Sequence, residues 1–298
     1  MSTDEHGRRR RIVRELLSRP LTVFGMGTVS LVIAVGVFAM VDAWMFDSAL
    51  ITSVYYDPNA PEFVPLQGPS MEHPFGTDSL GRDVLARTIY GAKVSVQVAL
   101  IAVFVAATVG SALGVIAGYA GGAVEILIMR FVDVMLGFPA LVLAIGVVAA
   151  LGFSLNNVII ALGIVYIPQF ARIGRSSAIS VSEEEYIDAA RALGYSNFHI
   201  LFREVLPNSI SPLVVQASLL MAFAIIAEAS LSFLGLGARP PTATWGQMVA
   251  TGSDYLETAP WISFFPGMAI FVTVLGFNLV GDGLRDAIDP RTSTERRF

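Results

Sequence analysis

Cysteine is missing from this 298-residue sequence, lysine occurs once, at Lys93, and histidine three times. Without cysteine there is no disulfide scaffold. A zinc or iron–sulfur site is disfavoured as well, because His6, His73 and His199 are scattered and no H-E-x-x-H run occurs. Lys93 stands between Ala92 and Val94. A Walker A loop needs Gly-Lys-Ser/Thr, so the chain cannot hold ATP in that way. Neither a G-x-G-x-x-G run nor a G-x-S-x-G elbow is present.

Charge is equally scarce. Asp, Glu, Lys and Arg make up 14% of the chain, against ~25% in an ordinary soluble domain. The apolar and aromatic set reaches 54%, and the mean hydropathy is +0.67. A soluble domain of this size could not hide so much apolar surface, and intrinsic disorder is excluded by the same numbers. The net charge of −5 argues against nucleic acid as a partner. What remains is an all-α polytopic membrane protein.

A bilayer core needs about 20 apolar residues per helix. Six spans are read, over 21–41, 94–118, 126–151, 158–171, 213–236 and 262–281. The fourth is short and carries Pro168 near its end. Arginine is partitioned sharply between the intervening segments. Arg8, Arg9, Arg10, Arg11, Arg14 and Arg19 precede the first span. Arg172, Arg175, Arg191 and Arg203 lie between the fourth and fifth, and Arg285, Arg291, Arg296 and Arg297 follow the sixth. The opposite loops hold only Arg82, Arg87 and Arg239, with Lys93 at a boundary. The positive-inside rule therefore places both termini and the 172–211 loop in the cytoplasm. The first apolar run is too long for a signal-peptide core and no A-x-A site follows it, so it reads as a retained helix. No helical repeat stands out.

The 172–211 loop is long and patterned like folded structure. Ser182 and Glu185 fit an S-x-x-E capping box. Tyr186, Ala189, Ala190 and Leu193 recur at helical spacing on one face, and Gly194 follows as a C′ stop. Ser196 can cap a second short helix carrying Phe198, Leu201, Phe202 and Val205, with Pro207 as its end. The small pair Ala189–Ala190, flanked by Asp188 and Arg191, lets another surface approach closely while the rim charges fix register. Glu183, Glu184, Glu185 and Asp188 suit the helix dipole but not an anionic lipid surface. The pattern predicts a helix that docks on a protein rather than on the bilayer.

The run from Glu185 to Gly194 (Glu-Tyr-Ile-Asp-Ala-Ala-Arg-Ala-Leu-Gly), followed by Ile200 and Leu206-Pro207-Asn208, resembles the "EAA" loop of ABC importer permeases, with Asp188 where Glu is usual. Further stretches extend the resemblance. Gly76-Thr-Asp-Ser-Leu-Gly-Arg-Asp83 precedes the second span and Gly118-Tyr-Ala-Gly-Gly122 the third. Glu228-Ala-Ser-Leu-Ser-Phe-Leu-Gly-Leu-Gly237 closes the fifth, with Pro240-Pro241 and Trp245-Gly246 beyond it. Phe277-Asn-Leu-Val-Gly-Asp-Gly-Leu-Arg-Asp286, then Asp289-Pro290, ends the last. Together these are similar to the C-type permease of dipeptide, oligopeptide and nickel ABC importers, over roughly residues 70–291.

The resemblance implies a type I importer permease fold, in the cytoplasmic (inner) membrane. The apolar runs and the arginine distribution divide the chain into a cytoplasmic tail over 1–20, a first membrane helix over 21–43 and an external loop over 44–92. A permease core over 93–285 and a cytoplasmic tail over 286–298 follow. The resemblance further implies that the subunit is not an enzyme and binds no cofactor. ATP and Mg belong to two cytoplasmic ATPases, a second, B-type permease completes the pore, and an external binding protein delivers substrate. Glu185, Asp188, Ala189, Ala190, Arg191, Gly194, Leu206 and Pro207 would then form the ATPase-coupling loop. The imported substrate would be a di- or oligopeptide, with a nickel chelate as the alternative within the family. A stand-alone secondary transporter, the alternative from another class, has no need of such a loop.

Several residues outside the loop also carry expectations. Glu228, inside the fifth span, is either functional or paired across helices. Asn278 and Asp282 are possible pore residues, with helix packing or capping as the plainer role. Arg130 and Asp133, at i and i+3, predict an ion pair within the third span or at an interface. Asp78 or Ser79 is expected to cap the helix entering span two.

Overall fold

The computed structural model describes residues 14–46, 50–51, 56–61 and 63–288. The arginine-rich stretch before residue 14, the charged end after residue 288 and parts of the first external loop lie outside the described residues. Helix α1 is Pro20–Met45, opened by a proline whose missing N–H costs nothing in the first turn. Helix α2 is Val84–Ala120, α3 Gly122–Leu136, α4 Ala140–Leu151 and α5 Leu155–Ser182. The short α6 (Glu185–Ala192) and α7 (Asn197–Ile200) follow, then a π-helical turn, Leu201–Val205. Helix α8 is Leu206–Asn208, α9 Ile210–Phe233, α10 Trp245–Ser253 and α11 Trp261–Ile288. Five of these, α1, α2, α5, α9 and α11, are long and apolar enough to cross a membrane, and α3 with α4 forms one bent pair. The all-α polytopic class is therefore observed, with five membrane-length helices among the described residues and a sixth span only where the bent α3–α4 pair counts as one.

Three spans differ from their expected form. The third is broken, because α3 and α4 meet at 92°. Gly137-Phe138-Pro139 stands at the break. Pro139 lacks an amide hydrogen and disfavours the helical region for Phe138, and with Gly137 one residue further back the helix ends here rather than bending through the proline. The fourth is longer than its apolar run, since α5 continues through Pro168 to Ser182. Membrane helices accept such a proline when neighbours re-satisfy the freed carbonyl. The non-helical connection after the fourth span therefore begins at 183, not 172. The second begins well before its apolar run, and its cap is neither Asp78 nor Ser79. Asp83 caps α2, accepting a hydrogen bond from the Ala86 amide at 2.8 Å. Asp78 is engaged by its own turn, where it accepts from the Leu80 and Arg82 amides at 2.8 and 3.0 Å.

Helices α2 and α5 form the spine. Gly110, Gly114 and Gly118 recur every fourth residue along α2 and face the backbone of α5. A Cβ would fall 2.5 Å from the Ile167 carbonyl oxygen at Gly110, 2.1 Å from that of Ala171 at Gly114, and 2.5 Å from that of Arg175 at Gly118. No side chain other than hydrogen fits there, and the two backbones close together as membrane helices do over small residues. Val98, Ala102, Ala106, Leu162 and Phe170 fill the adjoining core.

At the end of the bundle away from the 183–209 loop, segment 63–83 and α10 form a cap. The Trp245 indole donates to the Thr88 carbonyl at 2.8 Å, and that of Trp261 to the Thr77 carbonyl at 3.1 Å. Phe75 and Phe265 stack with centroids 3.8 Å apart. His73, buried between Tyr56 and Phe63, meets Asp83 through Nδ1 at 2.9 Å.

Candidate functional site

The connection between α5 and α9 is a small folded unit. Helix α6 carries Glu185 and Asp188 in its first turn and Arg191 in its last, each sign matching the nearby end of the helix dipole. Arg191 donates to Asp188 at 2.9 Å along the exposed rim. The capping box is not formed. Ser182 is the last residue of α5, and the N-cap of α6 is Glu184, whose side chain caps nothing. The S-x-x-E spacing falls across a helix end because α5 outruns its apolar segment.

The C-terminal stop is formed as the sequence suggests. Gly194 has φ +80°, a conformation glycine adopts without steric cost. Its amide donates to the Arg191 carbonyl at 3.0 Å, and the Tyr195 amide donates to that of Ala190 at 3.2 Å. This double bond pattern is a Schellman motif. Ser196 then caps α7, accepting from the His199 amide at 3.3 Å.

The face assignment changes. Tyr186, Ala189 and Leu193 are exposed, whereas Ala190 is buried together with Ile187. Ile187 and Ala190 pack with Ile200 and Val205 against Val115 of α2 and Ala178 of α5. The inner face of α6 is thus held to the ends of the two spine helices, and Tyr119 at the end of α2 donates to Asn197 at 3.2 Å. Ile187, three residues before Ala190 on the same face, is the anchor rather than Tyr186 or Leu193. The outer surface presents Leu193, Tyr195, Phe198 and Phe202, and the last two rings lie 4.4 Å apart. Leu206 is half-buried and Pro207 exposed. Pro207 does not end the helical path. The chain widens into the π turn just before it and resumes in α8, where a proline in the first turn needs no amide hydrogen.

The other singled-out residues lie elsewhere. Glu228 is fully buried in α9, and the Ser232 hydroxyl one turn on donates to its Oε1 at 2.6 Å. Ser95 of α2 faces the same carboxylate, but among the described residues neither its hydroxyl nor Glu228 Oε2 has a hydrogen-bond partner. Asn278 is half-buried and Asp282 exposed, both well inside α11, so neither caps a helix end. Arg130 and Asp133 do not pair. Asp133 accepts from Arg172 of α5 at 2.8 Å, and Glu125 of α3 pairs with Arg175 of α5. Asp133 is thus paired across to α5 rather than along its own helix.

Residues 110–294 match the family described as the binding-protein-dependent transport system inner membrane component. The chain is 45% identical over 282 residues to the dipeptide transport system permease protein DppC of Alkalihalophilus pseudofirmus, covering 95% of this chain and 90% of that one. It is 41% identical over 282 residues to the probable D,D-dipeptide transport system permease protein DdpC of Escherichia coli, covering 94% and 91%. Against the glutathione transport system permease protein GsiD of Pectobacterium atrosepticum the identity is 45% over 225 residues, covering 76% and 75%. The matched region takes in the glycine spine, the folded loop and the last two spans, and the chain belongs to the binding-protein-dependent transport system inner membrane component family: it is a multi-pass permease subunit of a transporter, not a catalyst.

Proposed function

We propose that this chain is one of two permeases forming the pore of an ATP-driven peptide importer, and that residues 183–209 are its dock for a cytoplasmic ATPase. The observation that carries the dock is the two-sided build of α6. Its inner face is fixed to α2 and α5 through Ile187 and Ala190, while Tyr186, Leu193, Tyr195 and Phe198 stand outward. A helix so anchored passes a displacement of its outer surface directly to the membrane helices. Glu185, Asp188 and Arg191 set register at the rim, and Gly194 turns the chain away without a side chain in the contact.

ATP and Mg then act on two ATPase subunits, and an external binding protein presents the substrate at the opposite end, near the 63–83 and α10 cap. Both chain ends face the cytoplasm, in keeping with the arginine distribution. The relatives named for dipeptides, D,D-dipeptides and glutathione support a short peptide as substrate.

The test is reconstitution of the chain into liposomes with a second permease, ATPases and a binding protein from the same organism. Uptake of a labelled dipeptide that requires internal ATP and the external binding protein is expected. Loss of ATPase co-purification in Leu193→Asp, with the chain still folded, is expected to accompany loss of uptake. Full co-purification and uptake in that variant would overturn the dock. ATP-driven uptake of other solutes but no peptide would overturn the substrate.

A further inference from the structure

A charged cleft of about 540 Å³ opens between α3 and α5, lined by Glu125, Ile126, Met129, Arg130, Asp133, Arg172 and Arg175. Its two carboxylates are already committed. Asp133 pairs with Arg172, and Glu125 with Arg175. Arg130, exposed at the same cleft, makes no ion pair among the described residues. Three arginines against two carboxylates leave the cleft with one surplus positive charge.

The position of α3 fixes what can bring an anion there. The two ion pairs are anchored eight residues apart on α3, about 12 Å along its axis, but three residues apart on α5, about 4.5 Å. Helix α3 therefore crosses α5 obliquely. It starts directly after α2 ends beside the folded loop and turns by 92° into α4, so it lies at the rim of the bundle. Ile126, Leu127, Phe131 and Val134 of α3 are all exposed. An oblique rim helix with bare apolar side chains beside a basic cleft has the form of an interfacial element.

We infer that this cleft seats the phosphodiester headgroup of an anionic phospholipid, with Arg130 as the principal contact and Arg172 and Arg175 as its flanks. The lipid tails would cover the neighbouring apolar side chains of α3. One negative charge neutralises the surplus, and an anionic lipid satisfies the arginine and the apolar rim together. The inference is independent of the transported substrate and of ATPase docking.

The full-length chain, purified in mild detergent with whatever subunits accompany it, is titrated with phosphatidylglycerol and observed by native mass spectrometry. Phosphatidylcholine and inorganic phosphate serve as the other probes. Phosphatidylglycerol is expected to be retained over phosphatidylcholine. Arg130→Gln should weaken retention roughly fivefold, the effect of one basic residue near an anionic headgroup, and Asp133→Asn should strengthen it by a similar factor. Equal retention in the wild type and Arg130→Gln would overturn the site, as would a failure of Asp133→Asn to move it upward. Displacement of the lipid by stoichiometric inorganic phosphate would show a free-anion site instead. Protection of Arg130 by a second permease, with no lipid at any concentration, would assign the cleft to the subunit interface and overturn the inference.

Discussion

Gly114 of α2 lies flat against the carbonyl of Ala171 in α5, so close that a Cβ would fall 2.1 Å from that oxygen. The contact is backbone to backbone, and neither partner is the movable end of a side chain. With Gly110 and Gly118 one turn away on either side, it sets the spacing of the two helices that carry the folded loop.

Replacing that glycine should therefore part the spine. Gly114→Leu is expected to cost at least the ~1–3 kcal/mol typical of overpacking, and more if the helices cannot slide. Gly146→Leu, at an α4 position where a Cβ meets nothing within 4 Å, serves as a control that should be close to neutral. Thermal denaturation of the detergent-solubilised chain checks both, and equal melting of the two variants would refute the spine.

Gly194 separates backbone strain from surface charge. A Cβ there meets nothing within 4 Å, yet φ is +80°. Asn and Asp both tolerate the left-handed region better than other residues. Gly194→Asn should keep most transport, whereas Gly194→Asp should lower uptake roughly tenfold or more, consistent with ~1.4 kcal/mol or more lost from the docked state. Uptake assays on the pair check this; identical losses would place the defect in the backbone.

Ala190 and Leu193 are expected to fail in different ways. Ala190 is 7% exposed and faces the core, while Leu193 is 76% exposed. Ala190→Glu buries an unpaired charge and should loosen the whole 183–209 unit, making it sensitive to limited proteolysis. Leu193→Asp should leave proteolysis unchanged and weaken ATPase co-purification. Matching proteolysis patterns would contradict the face assignment.

Asp83 joins two tasks, capping α2 and meeting the buried His73 ring. Asp83→Ala should destabilise the cap formed by segment 63–83 and α10 by ~2–4 kcal/mol, combining a lost N-cap of ~1 kcal/mol with a buried polar group left unpaired. Asp83→Ser keeps an N-cap acceptor and should recover about half. Denaturant or thermal melting of the three forms gives the comparison.

Glu228 tests whether a buried acid serves packing or transport. Its Oε1 accepts from Ser232 in the same helix at 2.6 Å. Glu228→Gln preserves that acceptor and the side-chain volume, so uptake within about twofold of wild type is expected from a packing role. Glu228→Ala should lower stability by ~2–4 kcal/mol through a cavity and an unpaired hydroxyl. A large uptake loss in Glu228→Gln with unchanged melting would assign the carboxylate a part in transport.

The sequence by itself determined the membrane class, the approximate places of the spans, the Gly194 stop, the Ser196 cap and the family resemblance. Each of these depends on composition, period or a residue's own backbone preference, and such local properties act in any tertiary context. Tertiary structure alone decided the rest. That Ile187 and Ala190 face inward while Leu193 and Phe198 face outward depends on where α2 and α5 end, which no pattern within eight residues of α6 records. Asp133 pairs with Arg172 rather than Arg130 because α3, ahead of the break at Pro139, brings it against α5. Ser182 was drawn into α5 and lost its capping role because packing on the glycine stripe of α2 carried that helix past its apolar run. In each case a contact with an element distant in sequence overrides the local pattern.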